Sequence, residues 1–296
     1  MDKIWTVLDI LNWTTTFLEK KNIEEAKYKT ELLLSHVLEF KRFDLYLNFD
    51  RPLSQEERKT FKKLLNRLTE SEPIQYILGK WEFYGYDFIV NKNVLIPRRE
   101  TEELVEKVIN YITNYEKQYK TFENTLNIFD VGTGSGAIII SLYMELKNKL
   151  KKENFEKLTF TAVDISEKAL VVAKENAELN NAENINFIKS DLLYGVENNI
   201  DILVSNPPYV SLSEYNNLKK ELFFEPKQAI TDNNDGLYFY NKLISSVTEK
   251  NIKKIFFEIG YNQKNSLTEM CSKYKIKNFK FYKDLSGNYR IFEITI

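Results

Sequence analysis

The sequence is short of the side chains that most metal and redox chemistry requires: it has one cysteine, Cys271, and one histidine, His36. A lone cysteine excludes an intrachain disulfide and fits a reducing compartment. One cysteine and one histidine also exclude a Cys/His zinc centre, so no metal site is expected. His36 follows Glu31-Leu32-Leu33-Leu34, a buried-helix pattern, and reads as a helix residue and not a catalyst. An excess of charge is missing too: 42 Lys and Arg against 43 Asp and Glu leave a formal net charge of −1. That is no footprint for a polyanion, because nucleic-acid binders concentrate basic residues. No apolar run approaches the ~20 residues that cross a bilayer. Met1-Asp2-Lys3-Ile4-Trp5 lacks the basic stretch and apolar core of a secretory leader. The expectation is a cytoplasmic protein without a membrane partner.

What is present is an ordinary globular balance, 43% hydrophobic and 29% charged over 296 residues, enough for one large domain and a smaller one. Residues 1–70 read as a small helical domain that docks a substrate. Ile4, Val7, Leu8 and Leu11 fall at helical spacing, as do Phe61, Leu64, Leu65 and Leu68. Ser54 and Glu57 form a capping box at the start of the latter helix. Residues 71–96 read as a linker, with a β-hairpin in the aromatic and β-branched run Trp81–Val90 and turn signals at Asn91-Lys92-Asn93. From residue 97 to 296, strands alternate with helices. Strands are expected at Leu126–Asp130, Phe160–Asp164, Ile185–Lys189, Asp201–Ser205 and Lys254–Ile259, with helices at Glu102–Tyr115 and Lys168–Asn180 between them. This order predicts an α/β domain with a mostly parallel sheet covered by helices. Phe279–Tyr282 and Tyr289–Ile296 predict a terminal antiparallel hairpin, as in Rossmann-like class I methyltransferases. The lysine-rich run Lys147–Glu156 reads as a solvated helix end and loop.

Asp130-Val131-Gly132-Thr133-Gly134-Ser135-Gly136-Ala137 follows the first of these strands and opens a helix at Ile138–Leu142. Glycines there let the turn tighten and let a ligand approach the backbone. Open α/β sheets bind ligands at the carboxyl ends of their strands, where this loop lies. Gly132, Thr133, Gly134, Ser135 and Gly136 are therefore candidate cofactor contacts. Gly132, Gly134 and Ala137 also satisfy the dinucleotide pattern G-x-G-x-x-G/A, so the loop alone fits a nicotinamide cofactor as well as S-adenosyl-L-methionine. Asp164, ending the second strand, can accept hydrogen bonds from both hydroxyls of a ribose; its alternative use is to cap the helix after Ser166. Asp191 and Leu192, after the third strand, stand where they would flank an adenine edge; the alternative is an ordinary turn at the strand end.

The fourth strand separates the two cofactors. Asp201–Ser205 runs directly into Asn206-Pro207-Pro208-Tyr209. Pro207 and Pro208 fix φ and donate no N–H, so the carbonyls around them are free acceptors on a stiff backbone. Asn206 adds a side-chain carbonyl and Tyr209 an aromatic face. Together these four residues make a pocket for a planar NH2 group: Asn206 Oδ1 and the Pro207 carbonyl accept its two hydrogens, and Tyr209 packs on its plane. An amide nitrogen is a poor nucleophile, and two acceptors aimed at its hydrogens stabilise the positive charge that develops as it attacks a sulfonium methyl. Asn206, Pro207 and Tyr209 are the candidate catalytic residues, with Asn206 also bordering the cofactor. Proton loss can follow alkylation, so no histidine base is required. The expected activity is S-adenosylmethionine-dependent transfer to a planar nitrogen, which leaves open an amide, adenine N6 or guanine N2 as acceptor. A nicotinamide dehydrogenase would not need this tetrapeptide, and a binding module would not need every acceptor in place.

Beyond these motifs, the chain from Glu72 onward resembles the release-factor glutamine N5-methyltransferase family, the HemK-type proteins. Pro73–Gly79 and Glu82–Gly85 resemble the family's linker hairpin, and Leu95–Glu102 its entry to the catalytic domain. Asp130–Ala137, Asp164 and Asn206–Tyr209 match its cofactor and substrate motifs. Glu225-Pro226, Asp235-Gly236-Leu237, Glu258-Ile259-Gly260 with Gln263, and Lys283–Gly287 with Arg290 resemble its later blocks. Two positions depart: Arg99 stands where the family has a second proline, and Leu192 where an aromatic residue sometimes stands. The resemblance implies S-adenosyl-L-methionine as cofactor. It implies as substrate the glutamine of a Gly-Gly-Gln loop in bacterial peptide chain release factors, and so protein methylation in translation termination. A DNA or RNA amino-methyltransferase is the alternative; the balanced charge and the lack of a target-recognition domain stand against a nucleic-acid substrate.

Overall fold

The computed structural model describes residues 4–196, 199–247 and 249–296; the leader reading at Met1-Asp2-Lys3 falls in part outside them. The chain divides into two compact units, residues 1–79 with 220–224, and residues 80–219 with 225–296.

The first unit holds α1 (Val7–Lys20), α2 (Ala26–Leu38), α3 (Arg42–Leu47), α4 (Gln55–Thr69) and α5 (Ile74–Leu78). The expected capping box forms at α4: Glu57 N–H donates to Ser54 Oγ at 3.2 Å, and Ser54 N–H to Glu57 Oε2 at 2.7 Å. Phe61, Leu64, Leu65 and Leu68 all enter the core, as their spacing predicts. The first helix is shifted from expectation. Thr6 and Asp9 form a capping box there, so α1 begins after Ile4, which is exposed. Val7, Ile10, Leu11, Thr14 and Leu18 make its buried face, and Leu8, about 100° round from Val7, is exposed. His36 is on the exposed side of α2.

The unit boundary also differs from the expected one. α5 completes the helical unit, and the hairpin β1 (Lys80–Phe83) and β2 (Tyr86–Ile89) is integral to the second unit rather than a free linker. Tyr84 and Gly85 both have positive φ, the turn a two-residue hairpin uses. Phe83 and Phe88 are buried in the second unit's core. Backbone groups of β2 are held by side chains on and just after the helix Glu167–Leu179: Ile89 N–H donates to Asn176 Oδ1 at 2.6 Å, and Asn180 Nδ2 donates to the Asp87 carbonyl at 2.9 Å.

The rest of the second unit follows the alternating order: α6 (Arg99–Tyr119), β3 (Leu126–Val131), α7 (Ala137–Lys149), α8 (Lys152–Phe155), β4 (Leu158–Asp164), α9 (Glu167–Leu179), β5 (Ile185–Lys189) and β6 (Ile202–Ser205). Short helices α10 (Leu212–Tyr215) and α11 (Lys227–Ile230) precede α12 (Tyr238–Ser245), β7 (Lys254–Glu258), α13 (Lys264–Lys273), β8 (Asn278–Lys283) and β9 (Tyr289–Thr295). Arg99, at the expected proline position, is the first residue of α6; proline suits that place because its N–H is unpaired there anyway, so the helix starts the same way with arginine. The run Lys147–Glu156 is more than a solvated loop. Asn154 is fully buried, accepting Phe122 N–H at 3.0 Å and donating to Glu116 Oε1 at 2.6 Å, so the short helix α8 packs inward.

Among the described residues, seven strands form one sheet in the order β5-β4-β3-β6-β7-β9-β8. The first five are parallel; β9 is antiparallel to β7 and β8 to β9. From β3 the chain winds outward through β4 and β5, then returns to add β6 on the other side of β3. The winding reverses between β3 and β6, and the carboxyl ends at such a switch point form a crevice. The loops after β3 and β6 are the glycine loop and the tetrapeptide. Among the described residues no helix is long and apolar enough to cross a membrane.

Candidate active site

Register sets the geometry. Ser205 pairs with Phe257 of β7, so Asn206, the next residue, emerges beside Glu258, the last residue of β7. On the other side Ser205 Oγ donates to the Val131 carbonyl at 2.6 Å, tying the end of β6 to the end of β3 just before Gly132.

The glycine loop runs from Gly132 to Gly136, and all three of its glycines have positive φ. They do different work. A Cβ on Gly132 or Gly134 would meet nothing within 4 Å, so both lie against open space. A Cβ on Gly136 would lie 2.8 Å from Ile140 Cδ1 and 3.3 Å from Ala173 Cβ, so that glycine lets α7 pack on α9. Thr133 and Ser135 are buried, and their side chains face the protein. Thr133 Oγ1 donates to Asp130 Oδ2 at 2.7 Å, and the Ser135 carbonyl accepts from Asn176 Nδ2 at 2.9 Å. Asp130 is fully buried, and burial pushes its carboxyl up to about 7 against the pull of the Thr133 hydroxyl and the Ile139 N–H.

Asp164 does not cap α9; Ser166 does, accepting Ala169 N–H at 3.2 Å. Asp164 instead accepts Ser166 N–H on Oδ1 at 2.8 Å and Gly134 N–H on Oδ2 at 2.9 Å. It therefore holds the glycine loop in shape, and each oxygen keeps a lone pair for a further donor. Burial raises its pKa, against the pull of those two N–H groups. Beyond β5, Ser190 N–H donates to the Asp164 carbonyl at 3.0 Å, which brings that turn beside the same strand end. Asp191 is exposed, while Leu192 has a left-handed φ of 52° and packs partly against the core. The open space at Gly132 and Gly134 and the adjoining Asp164 carboxylate fit a nucleoside cofactor.

At the tetrapeptide, Pro207 is buried while Asn206, Pro208 and Tyr209 are half-buried. Asn206 Nδ2 donates to Thr101 Oγ1 at 3.2 Å, which leaves Oδ1 as the acceptor of that side chain. Thr101, in the first turn of α6, donates in turn to Glu258 Oε2 at 2.5 Å. The Tyr209 hydroxyl donates to the other oxygen, Glu258 Oε1, at 3.1 Å. Glu258 is 1% exposed; burial raises its pKa, and the Thr101 hydroxyl, the Arg290 charge and the Tyr209 hydroxyl oppose that rise. Burial, and then the charge of Glu258, also push the Tyr209 phenol well up, so it stays a neutral donor. Arg290 is itself held by Asp284 Oδ2 at 3.2 Å.

The backbone of the tetrapeptide is fixed from below. Gln263 Nε2 donates to the Tyr209 carbonyl at 3.0 Å and to the Gly236 carbonyl at 2.9 Å, while its Oε1 accepts Gly260 N–H at 2.9 Å. Asp232 accepts Gly236 N–H and Tyr238 N–H, each at 3.0 Å. Glu225 accepts Ile96 N–H at 2.9 Å and pairs with Arg98 at 2.5 Å, closing the entry to α6 against the loop after the tetrapeptide.

Reasoning from motifs brought together the glycine loop, Asp164 and Asn206–Tyr209. It missed Thr101, Ser205, Gly236, Glu258 and Gln263 as parts of one site. Except for Ser205, these residues lie in segments that resemble family blocks, but nothing in their types or spacing tells what they touch.

Comparison with known proteins gives the same division of the chain. The family description "PrmC N-terminal domain" matches residues 9–79, and "Methyltransferase small domain" matches residues 116–259. A release factor glutamine methyltransferase of Enterococcus faecalis is 40% identical over 292 residues, covering 96% of both chains. Its namesake from Bacillus subtilis is 36% identical over 294 residues, again with 96% of each chain covered. A third, from Fusobacterium nucleatum, is 37% identical over 290 residues, 96% of this chain and 77% of that one.

Proposed function

Because this chain belongs to the release factor glutamine methyltransferase family, we propose that it methylates the side-chain amide nitrogen, N5, of the glutamine in the Gly-Gly-Gln loop of bacterial peptide chain release factors. The cofactor is S-adenosyl-L-methionine, and the setting is the cytoplasm, where translation terminates. One observation carries the reading: Asn206–Tyr209, an acceptor set for a planar NH2, stands beside the glycine loop at the switch point between β3 and β6.

Gly132 and Gly134 offer backbone to the cofactor, with Thr133, Ser135 and Gly136 shaping the loop. Asp164 accepts the ribose hydroxyls, and Asp191 and Leu192 border the adenine. When bound, S-adenosylmethionine supplies an electrophilic methyl group on a sulfonium sulfur. Asn206 Oδ1 and the Pro207 carbonyl accept the two amide hydrogens, Pro208 stiffens the turn, and Tyr209 covers the amide plane. Fixing the nitrogen in this way supplies orientation. The two acceptors would stabilise the charge that grows on nitrogen as the nitrogen–methyl bond forms and the methyl–sulfur bond breaks, its electron pair going to sulfur, so they act most in the transition state. The nitrogen then loses one proton to solvent and regains its amide resonance. The helical unit serves as the docking surface for the release factor; Phe43 and Leu47 of α3 expose 70% and 68% of their surface and suit an apolar contact.

Incubating the protein with a release factor and S-adenosylmethionine and measuring the intact mass tests this. A gain of one methyl group, lost when the loop glutamine is replaced, is expected. Labelled methyl in DNA or ribosomal RNA, with none in release factor, would overturn the substrate and leave the methyltransferase chemistry standing.

A further inference from the structure

An asparagine carboxamide can turn through 180° with almost no change in shape, exchanging its oxygen for its NH2. At Asn206 that exchange would reverse the site: an NH2 facing the substrate NH2 repels it, and the developing charge loses an acceptor. Something must therefore choose between the two orientations. Pro207 and Pro208 fix the backbone but do not touch this choice.

We infer that Thr101 and Glu258 are positioning residues that set which way the Asn206 carboxamide points, so that its oxygen meets the methyl acceptor. This rests on the reading of Asn206 as a substrate acceptor. The Thr101 hydroxyl has one proton and two lone pairs. Glu258 Oε2, at 2.5 Å, takes the proton. Only lone pairs remain to face Asn206 at 3.2 Å, and only the NH2 end of the carboxamide is satisfied there. The buried carboxylate thus dictates the hydroxyl, and the hydroxyl dictates the amide. The other oxygen of the same carboxylate takes the Tyr209 hydroxyl at 3.1 Å, so Glu258 anchors both ends of the tetrapeptide. Tyr240 donates to the Glu258 carbonyl at 2.8 Å, holding the end of β7 from which the relay starts. A carboxylate this deeply buried is a poor stabiliser of a fold, since a well-packed apolar residue commonly serves as well or better. Its place at the end of β7, one strand from Asn206, is accounted for by the relay.

The test uses Thr101→Val, which keeps the shape and removes the hydroxyl, and Thr101→Ser, which keeps the hydroxyl. Methylation of a release factor is followed under steady state, with S-adenosylmethionine affinity measured by calorimetry. Thr101→Val should lower kcat about 10–100-fold, the scale on which hydrogen-bonded partners that orient metal ligands act, with cofactor affinity unchanged. Thr101→Ser should recover most of that loss. The double variant Thr101→Val/Asn206→Ala should be no slower than Asn206→Ala alone, because no amide is left to orient. Wild-type turnover in Thr101→Val, or a double variant slower by the full Thr101→Val factor, would overturn the positioning role. Wild-type turnover in Asn206→Ala would instead sink the acceptor reading on which it rests. If Thr101→Val does not fold, Thr101→Ala gives the same test: it removes the same hydroxyl with a smaller side chain, and should lower kcat with the same lack of additivity against Asn206→Ala.

Discussion

Replacing Gly236 by alanine should damage catalysis from a position that never meets the substrate. Gly236 has φ of +83°, and a Cβ there would lie 2.3 Å from the Tyr209 carbonyl oxygen and 3.0 Å from Gln263 Nε2. Reaching even a 3.0 Å separation requires the Tyr209 carbonyl to retreat by about 0.7 Å. That carbonyl cannot move alone, because Gln263 holds it together with Gly236 and Gly260. The left-handed φ adds roughly 1–2 kcal/mol for any residue with a Cβ. The stability loss should therefore be at least that, read from urea unfolding. The larger consequence is kinetic. A misplacement approaching 1 Å at a reacting group costs on the order of 10²-fold, and Tyr209 is two residues from the Pro207 carbonyl. Initial rates on a release factor should fall by about that factor, while calorimetry shows S-adenosylmethionine affinity unchanged, because the glycine loop lies across the crevice. A folded Gly236→Ala variant with wild-type turnover would refute the idea that the tetrapeptide needs this fixed backing.

Three further outcomes follow from the geometry. Asp164→Ala should weaken S-adenosylmethionine binding at least about 10-fold by calorimetry, since charge-assisted hydrogen bonds contribute about 1.5–3 kcal/mol each and the Gly134 N–H is released as well; unchanged affinity in a folded variant would sink the ribose assignment. Asp130, raised to about 7 by burial, holds its proton in the folded state where the unfolded chain has lost it, so its contribution is full below the ordinary carboxylate pKa and is lost as pH rises to about 7. Urea unfolding of Asp130→Asn against wild type from pH 4 to pH 8 should show that slope removed, a difference of at most about 4 kcal/mol, and parallel curves would contradict it. Phe43→Ser with Leu47→Ser should raise KM for intact release factor and leave kcat and cofactor affinity alone, whereas an unchanged KM would remove α3 from the docking surface.

Much of the fold was legible because its signals are local. Every expected strand of the large domain forms within two residues of its predicted ends, since a short apolar run between turn residues has few other ways to bury itself. The Ser54–Glu57 cap was legible for the same reason: both partners lie within one turn. One error was local: Ile4 and Leu8 fit helical spacing, but the Thr6–Asp9 cap starts the helix past Ile4, and its buried face runs through Val7, Ile10 and Leu11 and leaves Leu8 out. The other errors arose where a distant partner decides. The Trp81–Val90 hairpin was visible as a hairpin, yet its attachment depends on Asn176 and Asn180, 87 and 93 residues beyond their partners. The lysines around Asn154 signalled solvent and hid one buried amide whose partners lie more than thirty residues away.

The site divides in the same way. The glycine loop and Asn206–Tyr209 could be read because each is contiguous and its chemistry follows from residue type. Asp164 could be placed at a strand end, but not its second task of holding Gly134, which depends on the two strands pairing in register. Thr101, Glu258 and Gln263 carried no such signal: threonine, glutamate and glutamine are common on surfaces, and 157 positions separate Thr101 from Glu258. Only the parallel register of β6 with β7 brings Glu258 beside Asn206, and only the entry of α6 brings Thr101 between them. The groups expected to touch substrate are thus those that sequence reveals, and the groups that aim them are those that topology reveals. Because an aiming residue acts through one proton and one lone pair, an isosteric change such as Thr101→Val can slow the site while leaving the glycine loop, Asp164 and Asn206–Tyr209 untouched.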